Sequence, residues 1–201
     1  MTRVETLEAL EALYGTPSEA SRIKVTPRLT EAYRAWIARS RLCILSTVGP
    51  EGTDASPRGD DGPVVHIVDD RTLWLPDWKG NNRIDSLRNI VRDPRMSLMF
   101  VIAGSTTVIR VNGRAVISAD PELLGRFERQ GKQPRSVVVI EIAEVYSQCA
   151  RALMRAGIWR DGGQSRGLPS VGDMLREISD GTFDGTAYDR DWPGRAAKTM
   201  W

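Results

Sequence analysis

Short β-rich runs separated by tight turns begin at Leu42 and constrain the fold of this chain more than any other feature. The first run covers 42–48 and ends at a Gly-Pro-Glu-Gly turn, 49–52. Two further runs, 64–68 and 72–75, flank an Asp-Asp turn. Strands joined by such short turns pair as antiparallel hairpins. The pattern therefore predicts an antiparallel barrel rather than a doubly wound parallel sheet.

Longer runs continue this pattern after one predicted helix. Apolar residues recur at helical spacing over 84–91, and the Asp-Pro pair at 93–94 ends them. A second Asp-Pro pair at 120–121 starts a short helix that is predicted to reach Arg129, because proline is tolerated in a first helical turn. The remaining strands are predicted at 96–102, 106–117 and 136–146.

Helical segments flank the predicted barrel on both sides. Two amphipathic patterns, over 4–13 and 29–37, predict two helices before the sheet. After Ala150 the chain turns helical again, with one more short helix expected over 171–178. The polar, glycine-rich segment 181–201 has little core-forming content, so we expect an arm that packs on a neighbour or a ligand.

These elements predict a mainly β protein with flanking helices, of the α+β class. The expected organisation is N-terminal helices over 1–40, a barrel over 41–150 and a C-terminal helical extension and arm over 151–201.

Composition excludes several classes of function. The 28 basic and 26 acidic residues leave a net charge of +2, which argues against a general nucleic-acid binder. No apolar run approaches membrane-spanning length, and the N-terminus carries no signal-peptide block. Cys43 and Cys149 are too few and too far apart for a disulfide-stapled secreted domain. We therefore expect a soluble protein of the reducing cytoplasm that binds neither nucleic acid nor a membrane.

The chain is poorly equipped for several common chemistries. His66 is its only histidine and lies in an apolar run, where a packing role is expected, so a Ser-His-Asp or Cys-His hydrolase is disfavoured. One histidine and two separated cysteines do not supply a zinc site. Neither a Rossmann Gly-x-Gly-x-x-Gly motif nor a Walker loop follows a predicted strand.

The segment 73–83 is the strongest candidate for an anion site. A strand runs into a polar, glycine-containing loop and then into a helix at about Asn82. Free amide groups and the positive end of the helix dipole favour a phosphate there, and Lys79 and Arg83 add charged donors. The alternative is a solvated strand-to-helix turn with two ordinary surface cations, and spacing alone does not decide between the two.

Two further segments carry candidate polar residues. Arg58 lies between proline and glycine in 55–60, where it could meet an anion or a ring edge; the alternative is a hairpin loop. Arg110, Asn112 and Arg114 alternate with Val111 and Gly113 on a predicted strand. Polar residues at this period share one face of a strand, so they either face water or line a site.

Taken together, these segments resemble the FMN-dependent flavoproteins of the pyridoxamine-5′-phosphate-oxidase-like superfamily. The resemblance rests on 56–60, 75–89 and 110–115, in this order and at these distances. Two later segments, 148–159 and 168–175, are similar to the carboxyl-terminal part of one bacterial subfamily. The resemblance covers roughly residues 20–178.

This resemblance implies a Greek-key split barrel that forms a homodimer with FMN at the subunit interface. The phosphate partners would be Lys79, Asn82 and Arg83 in the loop that begins at Asp77, with Ser56 and Arg58 near the ribityl chain or the ring. The resemblance also implies a ring contact from Arg110 and contacts from Arg155 and Trp159. Which of the two subunits supplies these three residues is left open, and the partner subunit is one source for Arg155 and Trp159. The implied cofactor-binding residues are thus Ser56, Arg58, Asp77, Lys79, Asn82, Arg83, Arg110, Arg155 and Trp159.

The same resemblance narrows the expected reaction. True pyridoxamine-phosphate oxidase carries an arginine and a histidine close together in its carboxyl-terminal region, whereas no histidine follows His66 here. We therefore expect an FMN-dependent oxidoreductase that acts on another small organic substrate. The alternatives are a non-catalytic FMN carrier or redox-responsive binding protein, and a structural dimer without a cofactor.

Overall fold

The computed structural model describes residues 2–160 and 162–200. Its centre is a sheet of seven strands: β1 Leu42–Gly49, β2 Gly52–Gly59, β3 His66–Ile67, β4 Thr72–Asp77, β5 Arg95–Val101, β6 Val108–Ser118 and β7 Ser136–Gln148. The strand order is β2-β1-β5-β6-β7-β4-β3, and every neighbouring pair is antiparallel. The predicted antiparallel split barrel with flanking helices is confirmed.

Eight helices lie in the described part of the chain: α1 Leu7–Tyr14, α2 Glu19–Ile23, α3 Glu31–Ile37, α4 Asp85–Arg92, α5 Pro121–Gly125, α6 Arg151–Ala156, α7 Val171–Ile178 and α8 Gly185–Thr199. Within that part no helix is both long and apolar enough to cross a membrane. Both helices predicted before the sheet are present, as α1 and α3, and Ser18 caps an additional short helix, α2, that was not predicted. The helix predicted to reach Arg129 ends earlier, at Gly125.

One crossing of the sheet creates the Greek-key arrangement and places the candidate site. β1 and β2 form a hairpin, and β5, β6 and β7 form a meander. Between β4 and β5 the chain leaves one side of the sheet through α4 and returns beside β1. As a result, α4 packs on β1 and β2, and its N-terminus lies close to the end of β4.

The hydrophobic core belongs to the barrel. Alternate residues of the strands point inward, as Cys43 and Leu45 do on β1 and Leu98 and Phe100 do on β5, and all four are 1% exposed or less. This period of two is the one that the sequence predicts for half-buried strands. The helix α1 contributes no buried residue to this core.

The meander contains one irregularity, at Gly113. The pairing of β6 with β7 shifts between Asn112 and Gly113, so Ala143 has no partner in the register. A Cβ on Gly113 would lie 2.0 Å from the carbonyl oxygen of Glu141, which leaves room only for glycine. The shift is a β-bulge, a feature that bends a strand and increases its local twist.

The C-terminal segment departs most from expectation. Residues 181–201 were expected to form an arm, but Gly185–Thr199 is the helix α8, capped by the Asp184 side chain, and it packs on α7. A Cβ on Gly172 would lie 2.1 Å from the carbonyl oxygen of Gly185, so two glycines bring the helix backbones into contact. The low apolar content misled the prediction because this contact does not depend on large apolar side chains.

Candidate functional site

A cleft of about 730 Å³ opens where β2, the end of β4, the 78–84 loop and the N-terminus of α4 meet. Its lining residues are Asp54, Ser56, Pro57, Arg58, Asp77, Trp78, Gly80, Asn81, Asn82, Arg83, Ile84, Asp85, Ser86, Leu87, Arg135, Ser136 and Trp192. Two of the three candidate segments therefore meet in one place. We call this region the polar cleft.

β2 supplies one wall of the polar cleft. The segment 55–60, for which a hairpin loop was the alternative, is mostly strand: β2 runs to Gly59 and pairs with β1 alone. Pro57 is tolerated because β2 is an edge strand, where a missing N–H costs no ladder bond. Asp54, Ser56 and Arg58 are half-buried while the residues between them are exposed, so these three side chains share the face that lines the cleft.

An ion pair joins this wall to the end of β4. Arg58 donates from Nη1 to Oδ1 of Asp77, and the two side chains are 22% and 14% exposed. The Nε of Arg58 is buried and has no hydrogen-bond partner among the described residues. A buried guanidinium N–H without a partner costs free energy, which a polar ligand in the cleft would recover. This orphaned donor fits an anionic or carbonyl-bearing cofactor.

A hydroxyl relay fixes the N-terminus of α4 against β2. Ser86 donates from Oγ to Oδ2 of Asp54, and the Ser56 and Ser86 Oγ atoms lie 3.0 Å apart. Because the single Ser86 hydroxyl proton points to Asp54, Ser56 is the donor in the second bond. The relay, Ser56 to Ser86 to Asp54, holds the first turn of α4 beside the wall formed by β2.

The loop between β4 and α4 is shaped by its asparagines. Asn82 has φ of 63°, a left-handed conformation that asparagine tolerates better than most residues. Asn81 accepts from the amide of Arg83 at 3.0 Å, and Asn82 accepts at its Oδ1 from Nη1 of Arg135 at 2.7 Å. The predicted phosphate partner Asn82 therefore also anchors the loop to the residue that precedes β7.

The N-terminus of α4 offers free amide groups to the polar cleft. Its N-cap residue, Ile84, makes no side-chain capping bond, unlike the serine, threonine and aspartate caps of most other helices in the chain. Unsatisfied amides and the helix dipole attract an anion at such a terminus. Asp85, in the first turn, is the one acidic residue there.

The two predicted phosphate cations lie on different sides of the loop. Arg83 lines the polar cleft, with its side chain 80% exposed, and donates from Nε to Oδ2 of Asp85 at 3.0 Å. Lys79 lines a neighbouring cavity of about 470 Å³, which shares Pro57, Arg58, Trp78 and Gly80 with the cleft. Both residues belong to the 77–83 loop, but the Arg83 side chain faces the polar cleft and the Lys79 side chain faces the adjoining cavity.

Besides Lys79, three predicted cofactor residues lie outside the polar cleft of their own chain. Arg110 is half-buried, with its guanidinium 5.2 Å from the ring centroid of Tyr146. Arg155 is exposed on α6. Trp159 donates from Nε1 to the carbonyl oxygen of Ser105 at 2.7 Å. A contribution of these residues to FMN binding, from this subunit or from a partner, stays a prediction.

Several residues of the polar cleft were not predicted from the sequence. Arg135 and Ser136 enter the cleft because β7 pairs with β4, with Ser136 opposite Asp77, and no local pattern reveals this pairing. Trp192 lies in the segment that was expected to pack on a neighbour or a ligand, but the helix α8 that carries it was not predicted. Ser86 carried a usable signal, since a hydroxyl in the first turn of the helix predicted over 84–91 lies beside an anion site.

A third cavity lies beyond Trp78, which also lines the polar cleft and the cavity beside Lys79. It has a volume of about 470 Å³ and contains His66, whose ring stacks on Trp74 with centroids 5.5 Å apart. The ring packs against Trp74, but His66 is exposed at the cavity surface rather than buried within its apolar run. Asp60 also lines the cavity, 2.9 Å from Arg129; burial raises the pKa of the Asp60 carboxyl, against the opposing effects of the Gly62 amide and Arg129.

A family model described as pyridoxamine 5′-phosphate oxidase matches residues 29–149, more than half of the chain. The chain belongs to this family. The match begins just before α3 and ends after β7, so it covers the whole barrel and every residue of the polar cleft except Trp192. No curated protein matches the chain.

Solved structures with a similar arrangement include three bacterial proteins. HupZ from Group A Streptococcus is 19% identical, with a TM-score of 0.48, and the alignment covers 59% of this chain and 93% of that one. A putative pyridoxamine 5′-phosphate oxidase from Lactobacillus delbrueckii is 24% identical, with a TM-score of 0.48 and coverages of 60% and 95%. An FMN-binding protein from Syntrophomonas wolfei is 14% identical, with a TM-score of 0.43 and coverages of 71% and 97%.

Proposed function

We propose that this protein binds FMN with its phosphate in the polar cleft and acts as an FMN-dependent oxidoreductase on a small organic substrate. The observation that carries the proposal is the convergence of β2, the 77–83 loop and the uncapped N-terminus of α4 on one cleft. Membership of the pyridoxamine 5′-phosphate oxidase family supports the choice of a flavin nucleotide over another phosphate ester.

Some residues of the cleft would bind the phosphate directly, and others would hold the binding side chains in position. Arg83 and the amides of the first turn of α4 would hold the phosphate, with Lys79 reaching it from the neighbouring cavity. Asp77 holds Arg58 so that its orphaned Nε is available to a polar atom of the bound nucleotide. Arg83 would exchange its contact with Asp85, which is largely exposed and therefore weak, for the phosphate.

The bound cofactor would supply the two-electron redox chemistry, and the chain would supply orientation and electrostatics. The lining of the polar cleft includes neither histidine nor cysteine among the residues that the structure describes. These side chains are the usual ones for proton transfer or nucleophilic attack near neutral pH. This composition suits a site that binds and orients a cofactor.

The proposal includes a homodimer with FMN at the subunit interface. Arg110, Arg155 and Trp159 lie outside the cleft of their own chain, and a partner subunit could bring them to it. Trp159 is 39% exposed and Arg155 is exposed, so both are accessible for such contacts. Sedimentation equilibrium of the purified protein tests the dimer, and a monomer at micromolar concentration would refute this part of the proposal.

Flavin binding and turnover test the function in two steps. The expected result is a protein that takes up added FMN stoichiometrically, with a visible flavin spectrum, and whose bound flavin is reduced by NADH or NADPH and reoxidised by oxygen or an organic acceptor. A protein that binds no FMN would refute the proposal. A protein that binds FMN but is neither reduced nor reoxidised would refute the enzyme and leave the carrier as its function.

A further inference from the structure

The C-terminal helix α8 runs along the mouth of the polar cleft. Its Trp192 lines the cleft, and Met200, its C-cap residue, lines the neighbouring cavity that contains Lys79. The rise of an α-helix places these two residues roughly 12 Å apart along the axis. A single helix from outside the barrel therefore borders both openings beside the 77–83 loop.

Trp192 is held in place before any ligand arrives. Its ring stacks on Tyr188 with centroids 6.0 Å apart and an interplanar angle of 15°, and the Arg195 guanidinium lies 5.3 Å from its centroid. The side chain nevertheless remains 50% exposed. Ordering a tryptophan before binding reduces the entropy that the ligand must later overcome. The ring is thus both preorganised and accessible.

The helix that carries Trp192 is anchored to α7. The amide of Gly172 donates to Oδ1 of Asp189 at 2.9 Å, and the backbones meet at Gly172 and Gly185. α7 begins with a capping box between Ser170 and Asp173. These contacts fix α8 on α7 and therefore fix the position of Trp192 beside the cleft.

Trp192 also differs in origin and in chemistry from the other lining residues. Every other lining residue comes from 54–136, within the family match, whereas Trp192 belongs to the extension that follows it. Most of the lining is charged or polar, and Trp192 adds a broad aromatic surface at its edge. Aromatic faces contribute most where they cover another ring or an apolar surface.

We propose that Trp192 is a cofactor-contacting residue that the C-terminal extension supplies within the same chain, and that it covers the bound flavin nucleotide and slows its release. The inference rests on the proposed function, since it names a residue of the same site. Arg195, packed on the indole, adds positive charge beside an anionic ligand.

The test compares FMN binding by the full-length protein and three variants. Trp192→Ala removes the ring, Trp192→Phe keeps a smaller aromatic face, and Ile178→Ala removes an apolar side chain of α7 that is 80% exposed and outside the cleft. The dissociation constant comes from a fluorescence titration, the release rate from stopped-flow displacement, and the exposure of bound flavin from iodide quenching. Far-ultraviolet circular dichroism checks that α8 remains folded.

The Trp192→Ala variant is expected to bind FMN about tenfold more weakly, as is typical for the loss of a stacked aromatic contact, and to release it faster. Its bound flavin should be quenched more strongly by iodide, Trp192→Phe should recover part of the affinity, and Ile178→Ala should match the wild type. Wild-type affinity and release rate in Trp192→Ala would overturn the inference alone. Equal losses in the alanine and phenylalanine variants would overturn the role of the aromatic face. A wild-type protein that binds no FMN would overturn the proposed function, and this inference with it.

Discussion

The barrel and the C-terminal extension are stabilised by different physical means. Every buried hydrophobic side chain of the described residues lies between Leu29 and Val145. In the extension beyond Ala150, the described residues that are fully buried are Gly172 and Gly185, where two helix backbones meet. Burial of apolar side chains therefore stabilises the barrel, whereas close contact between two helix backbones and side-chain caps stabilise the α7–α8 pair. All lining residues of the polar cleft belong to the barrel segment 54–136 except Trp192, which belongs to the extension.

Cysteine reactivity gives the largest expected contrast between the barrel and its boundary. Cys43 is fully buried on β1, and burial raises the pKa of its thiol to about 12, whereas Cys149 is exposed after β7. Labelling with a thiol reagent at pH 8 should modify Cys149 quickly. Cys43 should react at least about a thousandfold more slowly, because it becomes accessible only when the barrel opens. Rapid labelling of both thiols in the native protein would contradict the buried position of β1.

Truncating one side chain in the barrel and one in the extension compares how much each region contributes to the free energy of unfolding. Leu98→Ala, at a fully buried position on β5, is expected to lower the free energy of unfolding by about 2–5 kcal/mol. Met174→Ala, at a position on α7 that is 46% exposed, should change it by less than about 0.5 kcal/mol. Urea unfolding monitored by circular dichroism measures both. Similar losses in the two variants would show that the extension shares the core of the barrel.

A matched pair of glycine substitutions tests the helix contact in the extension. A Cβ on Gly172 would collide with the Gly185 carbonyl oxygen, whereas a Cβ on Gly194 meets nothing within 4 Å. Gly172→Ala should separate α7 from α8 and accelerate tryptic cleavage in α8 several-fold, with little change in the unfolding midpoint of the barrel. Gly194→Ala should leave α8 as resistant as in the wild type or slightly more so, since alanine favours a helix by about 0.5–1 kcal/mol. Equal cleavage rates in the two variants would rule out the close contact.

The smallest expected effect is an acid dependence at the surface of the barrel. Hydrogen bonds from the side chain and amide of Arg95 lower the pKa of Asp93 to about 2. Because this pKa is lower in the folded chain, the contribution is present at pH values above the unfolded pKa and is lost as the pH falls from about 4 to 2. Asp93→Asn should therefore reduce the slope of the free energy of unfolding against pH between about pH 2 and 4. The slope at pH 7–8 should be the same as in the wild type. An unchanged slope between pH 2 and 4 would contradict the assignment.

Period-two patterns predicted most of the sheet, and the exceptions have physical causes. β6 and β7 were predicted within two residues at each end because their buried face is regular and apolar. β2 was missed because it is a polar edge strand that contains Pro57. β3 is shorter than its apolar run because Val64 and Val65 are buried without pairing as strand.

The polar cleft could be predicted only where its residues are close in sequence. Arg83 and the N-terminus of α4 follow from a strand-loop-helix pattern, which is local. Arg135 reaches Asn82 across a sheet pairing, and Trp192 depends on how α8 packs, so neither leaves a signature in its own neighbourhood. Resemblance to a family identified the segments that belong together, but it did not provide these two contacts.

Phosphate recognition at the 77–83 loop is the central claim, and comparing FMN with riboflavin tests it most directly. Isothermal titration would measure both ligands with the wild type, with a Lys79→Ala/Arg83→Ala variant and with Arg22→Ala, which removes an exposed arginine of α2. The double variant is expected to lose about ten- to a hundredfold in FMN affinity, the effect of removing charged hydrogen bonds, while its riboflavin affinity and all values for Arg22→Ala stay unchanged. Equal losses for both flavins, or no loss for FMN, would contradict the assignment of the phosphate to this loop.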